Sequence, residues 1–90
     1  MGKPTDRVAV ISTKFREDLR YWIEMDRKIA VRVLDLMAAS VADPFAGIGK
    51  PEPLRFELTS CRSRRITQEH RLVYRVTAER IEFHQARYHY

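Results

Sequence analysis

The sequence predicts a small α+β domain in which two N-terminal helices pack on one face of a mainly antiparallel sheet of four or five strands. Apolar residues recur at helical spacing in two segments between residues 13 and 41, and after residue 53 short β-branched or aromatic segments alternate with polar turns. Helices and strands in separate runs are typical of this fold class. With 90 residues, of which 44% are hydrophobic, the chain can form one core but not a second domain.

The N-terminal half is predicted to contain one strand and two helices. β-Branched residues favour a strand at Arg7–Ser12. The first helix is expected to begin after Ser12 or Thr13 as N-cap and to end near Met25. Asp26 is expected to cap the second helix, which a proline ends. The apolar positions expected to face the core are Phe15, Leu19, Trp22, Ile23, Ile29, Val33, Leu36, Met37 and Val41.

The C-terminal half is predicted to begin with a loop and to continue as a meander of strands. Residues 42–53 contain three prolines and two glycines, which favour a loop that carries Lys50 and Glu52. The strands that follow are expected at Leu54–Leu58, Arg62–Thr67, His70–Val76 and Arg80 to about Tyr88.

Side-chain alternation predicts which face of the sheet each residue occupies. Leu72 and its alternate neighbours are expected to pack on the helices, which turns Glu69 and Arg71 toward an open face. Arg65 of the preceding strand is expected on the same open face, whereas His70 is expected to be packed and hydrogen-bonded. Three other arginines are assigned no role beyond solvated surface: Arg62, Arg64 and Arg80.

Positive charge is concentrated in the C-terminal half. Residues 1–49 hold 8 Lys and Arg against 7 Asp and Glu, whereas residues 50–90 hold 9 against 5. A basic surface with interleaved Tyr and His favours a nucleic-acid partner over a membrane surface, because the cations fall in predicted strands and not along one helix face. No apolar segment approaches the length of a membrane span or a signal peptide, so a cytoplasmic protein is expected.

Cysteine and histidine usage gives no sign of a metal or a disulfide. The single cysteine, Cys61, cannot form an intrachain disulfide and is expected to be a half-buried strand residue. Three histidines and one cysteine at these spacings match no zinc-ligand pattern, so no metal or cofactor is expected. A metal-dependent nuclease that uses Glu52, Glu69 and Glu82 is kept as an alternative that chelation would test.

Four blocks hold most of the acids, bases and cations of the basic half. They are Gly-Lys-Pro-Glu-Pro at 49–53, Ser-Arg-Arg-Ile-Thr at 63–67, Glu-His-Arg-Leu-Val-Tyr at 69–74 and Arg-Tyr-His-Tyr at 87–90. In this order they resemble the YoeB (Txe) toxins of the RelE superfamily. The resemblance covers a single domain at residues 7–90 and leaves residues 1–6 as a polar extension. Family members usually carry Gly, an aromatic residue and Trp where this chain has Ser60, Cys61 and Arg62.

The resemblance implies a bacterial toxin that enters the ribosomal A site and cleaves mRNA there without a metal. Glu52 is then the general base that activates the 2′-hydroxyl, and Arg71 stabilises the charge on the phosphate. His89 protonates the leaving 5′-oxygen, with Tyr90 shaping the site. Three further cations are expected to position the RNA: Lys50, Arg65 and Arg87.

The same resemblance implies partners for this chain. An unrestrained mRNA cutter would arrest its own host, so an acidic antitoxin of the YefM or Axe kind is expected, with a disordered tail that covers the basic face. Dimerisation is also compatible with the family. No residue pattern in the sequence measures it.

The chemistry of the residues supports this mechanism but leaves alternatives open. Cleavage through a 2′-hydroxyl needs a base, an acid and fixed positive charge. Glu69, which alternation places beside Arg71, competes with Glu52 as base or orienting group. Strict alternation from Phe83 would turn His89 toward the core, so a bulge or strand end near residues 85–87 is required. A basic module that binds RNA or the ribosome and blocks translation without cutting is the second functional hypothesis.

Overall fold

The computed structural model describes residues 7–54 and 61–88 and confirms the predicted α+β architecture. Strand β1 (Val8–Ile11) is followed by helix α1 (Thr13–Met25) and helix α2 (Arg27–Ala42). The remaining strands are β2 (Glu52–Pro53), β3 (Cys61–Arg65), β4 (Arg71–Val76) and β5 (Arg80–Gln85). Residues 55–60, which include most of the strand predicted at 54–58, lie outside the described part.

The five strands form one mixed sheet in the order β1-β5-β4-β3-β2. β1 runs parallel to β5, and every other neighbouring pair is antiparallel. The register of β4 and β5 shifts where Val73 pairs with Gln85 but Tyr74 pairs with Phe83, so His84 is the extra residue of a bulge. The irregularity required by the sequence argument therefore lies at His84, and β5 ends one residue later.

Side chains cap both helices as the sequence predicts. The Ser12 hydroxyl accepts a hydrogen bond from the Phe15 amide at 3.0 Å and donates one to the His84 carbonyl at 2.9 Å. Asp26 accepts from the amides of Lys28 and Ile29. Ser12 therefore both begins α1 and holds it against the bulge of β5. Within the described residues, no helix is long and apolar enough to span a membrane.

The core lies between the two helices and one face of the sheet. Its buried members are Phe15, Trp22, Ala30, Val33, Leu36, Ile66, Leu72, Tyr74, Val76, Ile81, Phe83 and Ala86. This confirms the predicted inward face of β4. Leu19, Ile29, Met37 and Val41 pack against the cluster while partly buried.

The prediction that Ile23 faces the core is wrong, because its side chain is 48% exposed. The buried stripe of α1 is formed by Phe15, Asp18 and Trp22. Asp18 accepts a hydrogen bond from the Ala86 amide at 2.9 Å, and Trp22 Nε1 donates to the Ala86 carbonyl at 2.8 Å. Since Ile23 is rotated by about 100° from Trp22, this arrangement directs it to solvent.

We predict that Asp18→Ala lowers the free energy of unfolding by about 1–3 kcal/mol, because it leaves the buried Ala86 amide without an acceptor. Glu17→Ala is the matched control, since Glu17 is an exposed carboxylate on the adjacent helical position. It should change the free energy by no more than about 0.5 kcal/mol. Urea unfolding of the two variants measures the difference, and equal effects would contradict the anchoring role of Asp18.

Candidate active site

The register of β2, β3 and β4 brings Glu52, Ser63 and Arg71 together on the sheet face opposite the helices. Glu52 pairs with Ser63, Ser63 pairs with Val73, and Arg71 precedes Val73 by two residues. Arg71 Nε donates a hydrogen bond to Ser63 Oγ at 2.9 Å, and its Nη2 lies 3.7 Å from Glu52 Oε2. The prediction that the loop extends to residue 53 is therefore wrong, since Glu52 belongs to the short strand β2.

Arg71 is a largely buried cation, and one of its nitrogen atoms makes no hydrogen bond to the described residues. Its side chain is 16% exposed, against 62% for Glu52. The Nη2 atom is buried and has no hydrogen-bond partner among the described residues. Ser63 and Val73 beside it are also buried, so this part of the face is less open than alternation alone suggested. A buried donor of this kind is well matched to an anionic oxygen.

The C-terminal segment is fixed to the start of β4 by two backbone groups of Tyr88. Its amide donates to His70 Nδ1 at 2.6 Å, and its carbonyl accepts from the Arg71 amide at 3.0 Å. Tyr88 adopts a φ of +65°, a left-handed conformation that is uncommon for a residue with a side chain. The residue that precedes His89 is therefore held beside Arg71. His89 and Tyr90 themselves lie outside the described residues.

His70 is packed and hydrogen-bonded, which confirms its predicted environment. Its ring meets Trp22 edge-on at a centroid distance of 4.8 Å, and the side chain is only 14% exposed. Because Nδ1 accepts the Tyr88 amide, it carries no proton in this arrangement. His70 thereby links Trp22 of α1 to the C-terminal segment.

The end of the loop at residues 43–51 is fixed to β3. The Gly49 carbonyl accepts a hydrogen bond from the Arg65 amide at 2.7 Å. Gly49 has a φ of +80°, and a Cβ at this position would lie 2.7 Å from Leu36 Cδ2 and 3.0 Å from Arg64 Cβ. Only glycine fits such a left-handed position against the helix and the strand. Lys50 follows with a φ of +50° and an exposed side chain.

The other two predicted RNA-positioning cations occupy different surroundings. Arg65 pairs with Arg71 of the neighbouring strand, which confirms that the two lie on the same face of the sheet, and the Arg65 side chain is exposed. The Arg87 guanidinium carbon lies 3.4 Å from the ring centroid of Tyr21 and 4.9 Å from that of Tyr88. Its face is thus used for cation–π contact, while the guanidinium edge keeps its hydrogen-bond donors.

Three glutamates considered in the sequence argument have different partners. Glu69 lies before β4 in the turn, with its side chain 86% exposed and its Oε1 3.9 Å from His70 Nε2. Glu82 lies on β5, with Arg75, Arg80 and His84 at 3.6, 3.9 and 3.5 Å. Of the three, Glu52 is the one that contacts Arg71. In the described part of the chain, no three His, Cys, Asp or Glu residues are grouped to hold a metal ion.

The prediction that Arg64 is solvated surface is wrong, because its side chain is 0% exposed. It pairs with Leu72 on the helix face of the sheet. Alternation contained this signal, since Arg64 precedes the core residue Ile66 by two positions. Arg62 on the same face is half-buried, with its guanidinium 5.1 Å from the ring centroid of Phe45. Arg80 is 56% exposed, and Cys61 is buried in β3.

The sequence and the fold of this chain are both similar to those of known proteins. A family model described as YoeB-like toxin of bacterial type II toxin–antitoxin systems matches residues 11–90. The toxin YoeB of Mycobacterium bovis is 51% identical over 74 residues, which cover 82% of this chain and 87% of that protein. Two solved structures from Staphylococcus aureus are also similar. The YoeB dimer has a TM-score of 0.85 at 36% identity, covering 94% of this chain and 99% of that chain. The YoeB–YefM complex has a TM-score of 0.80 at 35% identity, covering 93% and 98%.

We predict that His70→Leu raises the exchange rate of the Tyr88 amide by roughly 2- to 10-fold, because one hydrogen bond contributes about 0.5–1.5 kcal/mol. His70→Asn should keep most of the protection of the Tyr88 amide from exchange. The Asn Oδ1 is also attached to Cγ and can accept the hydrogen bond in place of the lost Nδ1. Hydrogen exchange followed by NMR distinguishes the two variants. Equal exchange rates for the Tyr88 amide in both would show that His70 does not hold it.

Proposed function

Because the chain belongs to the YoeB-like toxins of bacterial type II toxin–antitoxin systems, we propose that it is a ribosome-dependent endoribonuclease that cleaves mRNA in the A site. The observation that carries the proposal is the contact between an exposed carboxylate, Glu52, and a buried guanidinium, Arg71, at 3.7 Å. Cleavage of RNA by proton transfer needs these two groups beside one phosphate.

Each step of the proposed reaction uses a side chain of this chain and no metal. The Glu52 carboxylate removes the proton of the 2′-hydroxyl, whose oxygen attacks the adjacent phosphorus. The bond from phosphorus to the 5′-oxygen breaks, and His89 donates a proton to that oxygen. The products are a 2′,3′-cyclic phosphate and a 5′-hydroxyl. Arg71 binds the non-bridging oxygens while negative charge builds on them, and the role proposed for Tyr90 is to shape the site.

The surroundings of Arg71 support this role. Ser63 engages Nε and so fixes the plane of the guanidinium, which leaves the two Nη groups for phosphate oxygens. The Nη2 atom, which has no hydrogen-bond partner among the described residues and only a 3.7 Å ion pair with Glu52, would gain an acceptor. Because most of the side chain is shielded from water, its interaction with a developing negative charge is stronger than it would be in solution.

The general base is Glu52 and not Glu69. The Glu52 carboxylate reaches Arg71, and its exposure leaves it accessible to a nucleotide. Glu69 lies in the turn before β4 and contacts His70 instead. Lys50, two residues before Glu52, supplies a phosphate-binding cation on the same loop, and Arg65 and Arg87 extend the basic surface toward the RNA backbone.

We predict that Glu52→Ala, Arg71→Ala and His89→Ala each lower mRNA cleavage in a translation extract by about 10²- to 10⁴-fold, as expected for loss of one acid, base or charge-stabilising group. New mRNA 3′ ends, mapped by primer extension in the presence of EDTA, provide the measurement. Glu79→Ala and Arg80→Ala are charge-matched controls on exposed positions. They should cleave at wild-type rates.

The outcomes of this experiment separate the competing functions. Full activity in all three variants would overturn the proposed roles, and loss of activity in Glu69→Ala but not Glu52→Ala would move the base to Glu69. Arrested translation with intact mRNA would identify a binding module, and inhibition by EDTA a metal-dependent nuclease. A 2′-deoxynucleotide on the 5′ side of the scissile phosphate should block cutting, because it removes the attacking oxygen.

The proposal includes an acidic antitoxin as partner. A similar toxin from S. aureus was solved in complex with YefM and also as a dimer. The net charge of +5 suits an acidic segment that wraps the basic surface. We predict that an acidic protein encoded beside this chain co-purifies with it and suppresses its toxicity on co-expression. Persistent toxicity without a complex would contradict the pairing, and sedimentation of the toxin alone would show whether it dimerises.

A further inference from the structure

Arg64 is the most deeply buried charged side chain of the described residues, yet the proposed reaction gives it no part. It is 0% exposed and lies on the helix face of β3. A buried charge is costly unless it is fully hydrogen-bonded. The ion pairs of the described residues involve other side chains, so the partner of this cation is not a carboxylate among them.

Backbone carbonyls of the loop after α2 take the place of a carboxylate. Arg64 Nη1 donates a hydrogen bond to the Ile48 carbonyl at 2.8 Å. Its Nη2 donates to the carbonyls of Asp43 and Ala46 at 2.6 and 3.0 Å. A planar fork with donors on separate nitrogens can bind three carbonyls that converge from different points of a loop, whereas one ammonium group cannot reach them equally well.

Tyr74 completes this arrangement from the neighbouring strand. Its hydroxyl accepts a hydrogen bond from Arg64 Nε at 3.2 Å and donates one to the Pro44 carbonyl at 2.6 Å. Tyr74 is itself 0% exposed. We name the resulting set the Arg64 clamp. It consists of Arg64, Tyr74 and the carbonyls of Asp43, Pro44, Ala46 and Ile48.

The last carbonyl of the Arg64 clamp along the chain belongs to Ile48, four residues before Glu52. Gly49 follows Ile48 directly and is fixed by the Arg65 amide on one side and by Leu36 on the other. β2 contains only two residues, so its own pairing holds Glu52 weakly. The position of the Glu52 carboxylate therefore depends on the path of the loop that delivers it.

We propose that Arg64 is a positioning residue for cleavage, which acts through the loop at residues 43–49 to set the place of the Glu52 carboxylate relative to Arg71. This inference rests on the proposed function. Arg64 does not touch the RNA, because it lies on the opposite face of the sheet from Arg71. Its loss should change the rate of the bound complex and leave binding to the ribosome intact.

The first test measures the loop itself and is independent of catalysis. Phe45 is an exposed aromatic residue inside the loop, so chymotrypsin can cut after it when the loop opens. Arg64→Met should increase native-state cleavage at this position. Tyr74→Phe removes a single hydroxyl and should have a smaller effect in a protein that stays folded. Ile81→Val, a core change in β5 away from the loop, is the control for general destabilisation.

The second test measures mRNA cleavage on ribosomes. Arg64→Met should lower kcat on the order of 10²-fold with KM for ribosomes unchanged, since a displacement of about 1 Å can have this cost. Arg64→Lys keeps the charge but not the fork and should remain impaired. In the Glu52→Ala background, Arg64→Met should lower the residual rate no further, because the carboxylate that it positions is already absent.

These outcomes distinguish the inference from the proposed function. If the wild-type protein does not cut mRNA, the proposed function fails, whereas proteolysis after Phe45 still reports on the clamp. If chymotrypsin cuts after Phe45 at the same rate in Arg64→Met and in Ile81→Val at matched stability, the clamp does not order the loop and the inference is overturned. A multiplicative loss in the double variant, or wild-type kcat in Arg64→Met, would also overturn it.

Discussion

The antiparallel register of β2, β3 and β4 determines which side chains meet on each face of the sheet. Because successive side chains of a strand point to opposite faces, one register sends Ser63 and Arg71 to the face opposite the helices and Arg64 and Tyr74 to the helix face. The same register pairs Glu52 with Ser63. A slip by one residue would bury Arg71 in the core and expose Arg64. The contact of Glu52 with Arg71 and the hydrogen bonds of Arg64 to the loop therefore depend on the same register.

The helices contribute to the site by holding the C-terminal segment. Asp18 and Trp22 of α1 bind the amide and the carbonyl of Ala86, and the start of β4 binds Tyr88 through its backbone. Two attachments within three residues leave little freedom for the chain before His89. The acid of the proposed reaction is thus delivered by a segment anchored to both layers of the domain, while the base is delivered by a loop anchored to β3.

Much of this could be read from the sequence, and the failures have physical reasons. Periodicity and capping residues predicted both helices, and alternation predicted the core face of β4 and the shared face of Arg65 and Arg71. Ile23 was misplaced because hydrophobic spacing does not show that a buried carboxylate, Asp18, occupies the centre of the stripe. Arg64 was misplaced although alternation with Ile66 puts it on the core face, because its hydrogen-bond partners are mainly backbone carbonyls, which the residue types of the sequence do not reveal. Alternation along the last strand required an irregularity near residues 85–87, but its place at His84 follows from the pairing of β4 with β5 and could not be fixed from the sequence.

In the proposed reaction, Glu52, Arg71 and His89 meet at one phosphate. The most direct test is a structure of this protein on a ribosome whose A-site codon carries a 2′-O-methyl group at the cleavage position. We expect a phosphate oxygen within about 3 Å of Arg71 Nη2, with Glu52 at the 2′-oxygen and His89 at the 5′-oxygen. A phosphate bound elsewhere, with Glu52 still against Arg71 and His89 turned away, would contradict the proposed roles of these three residues.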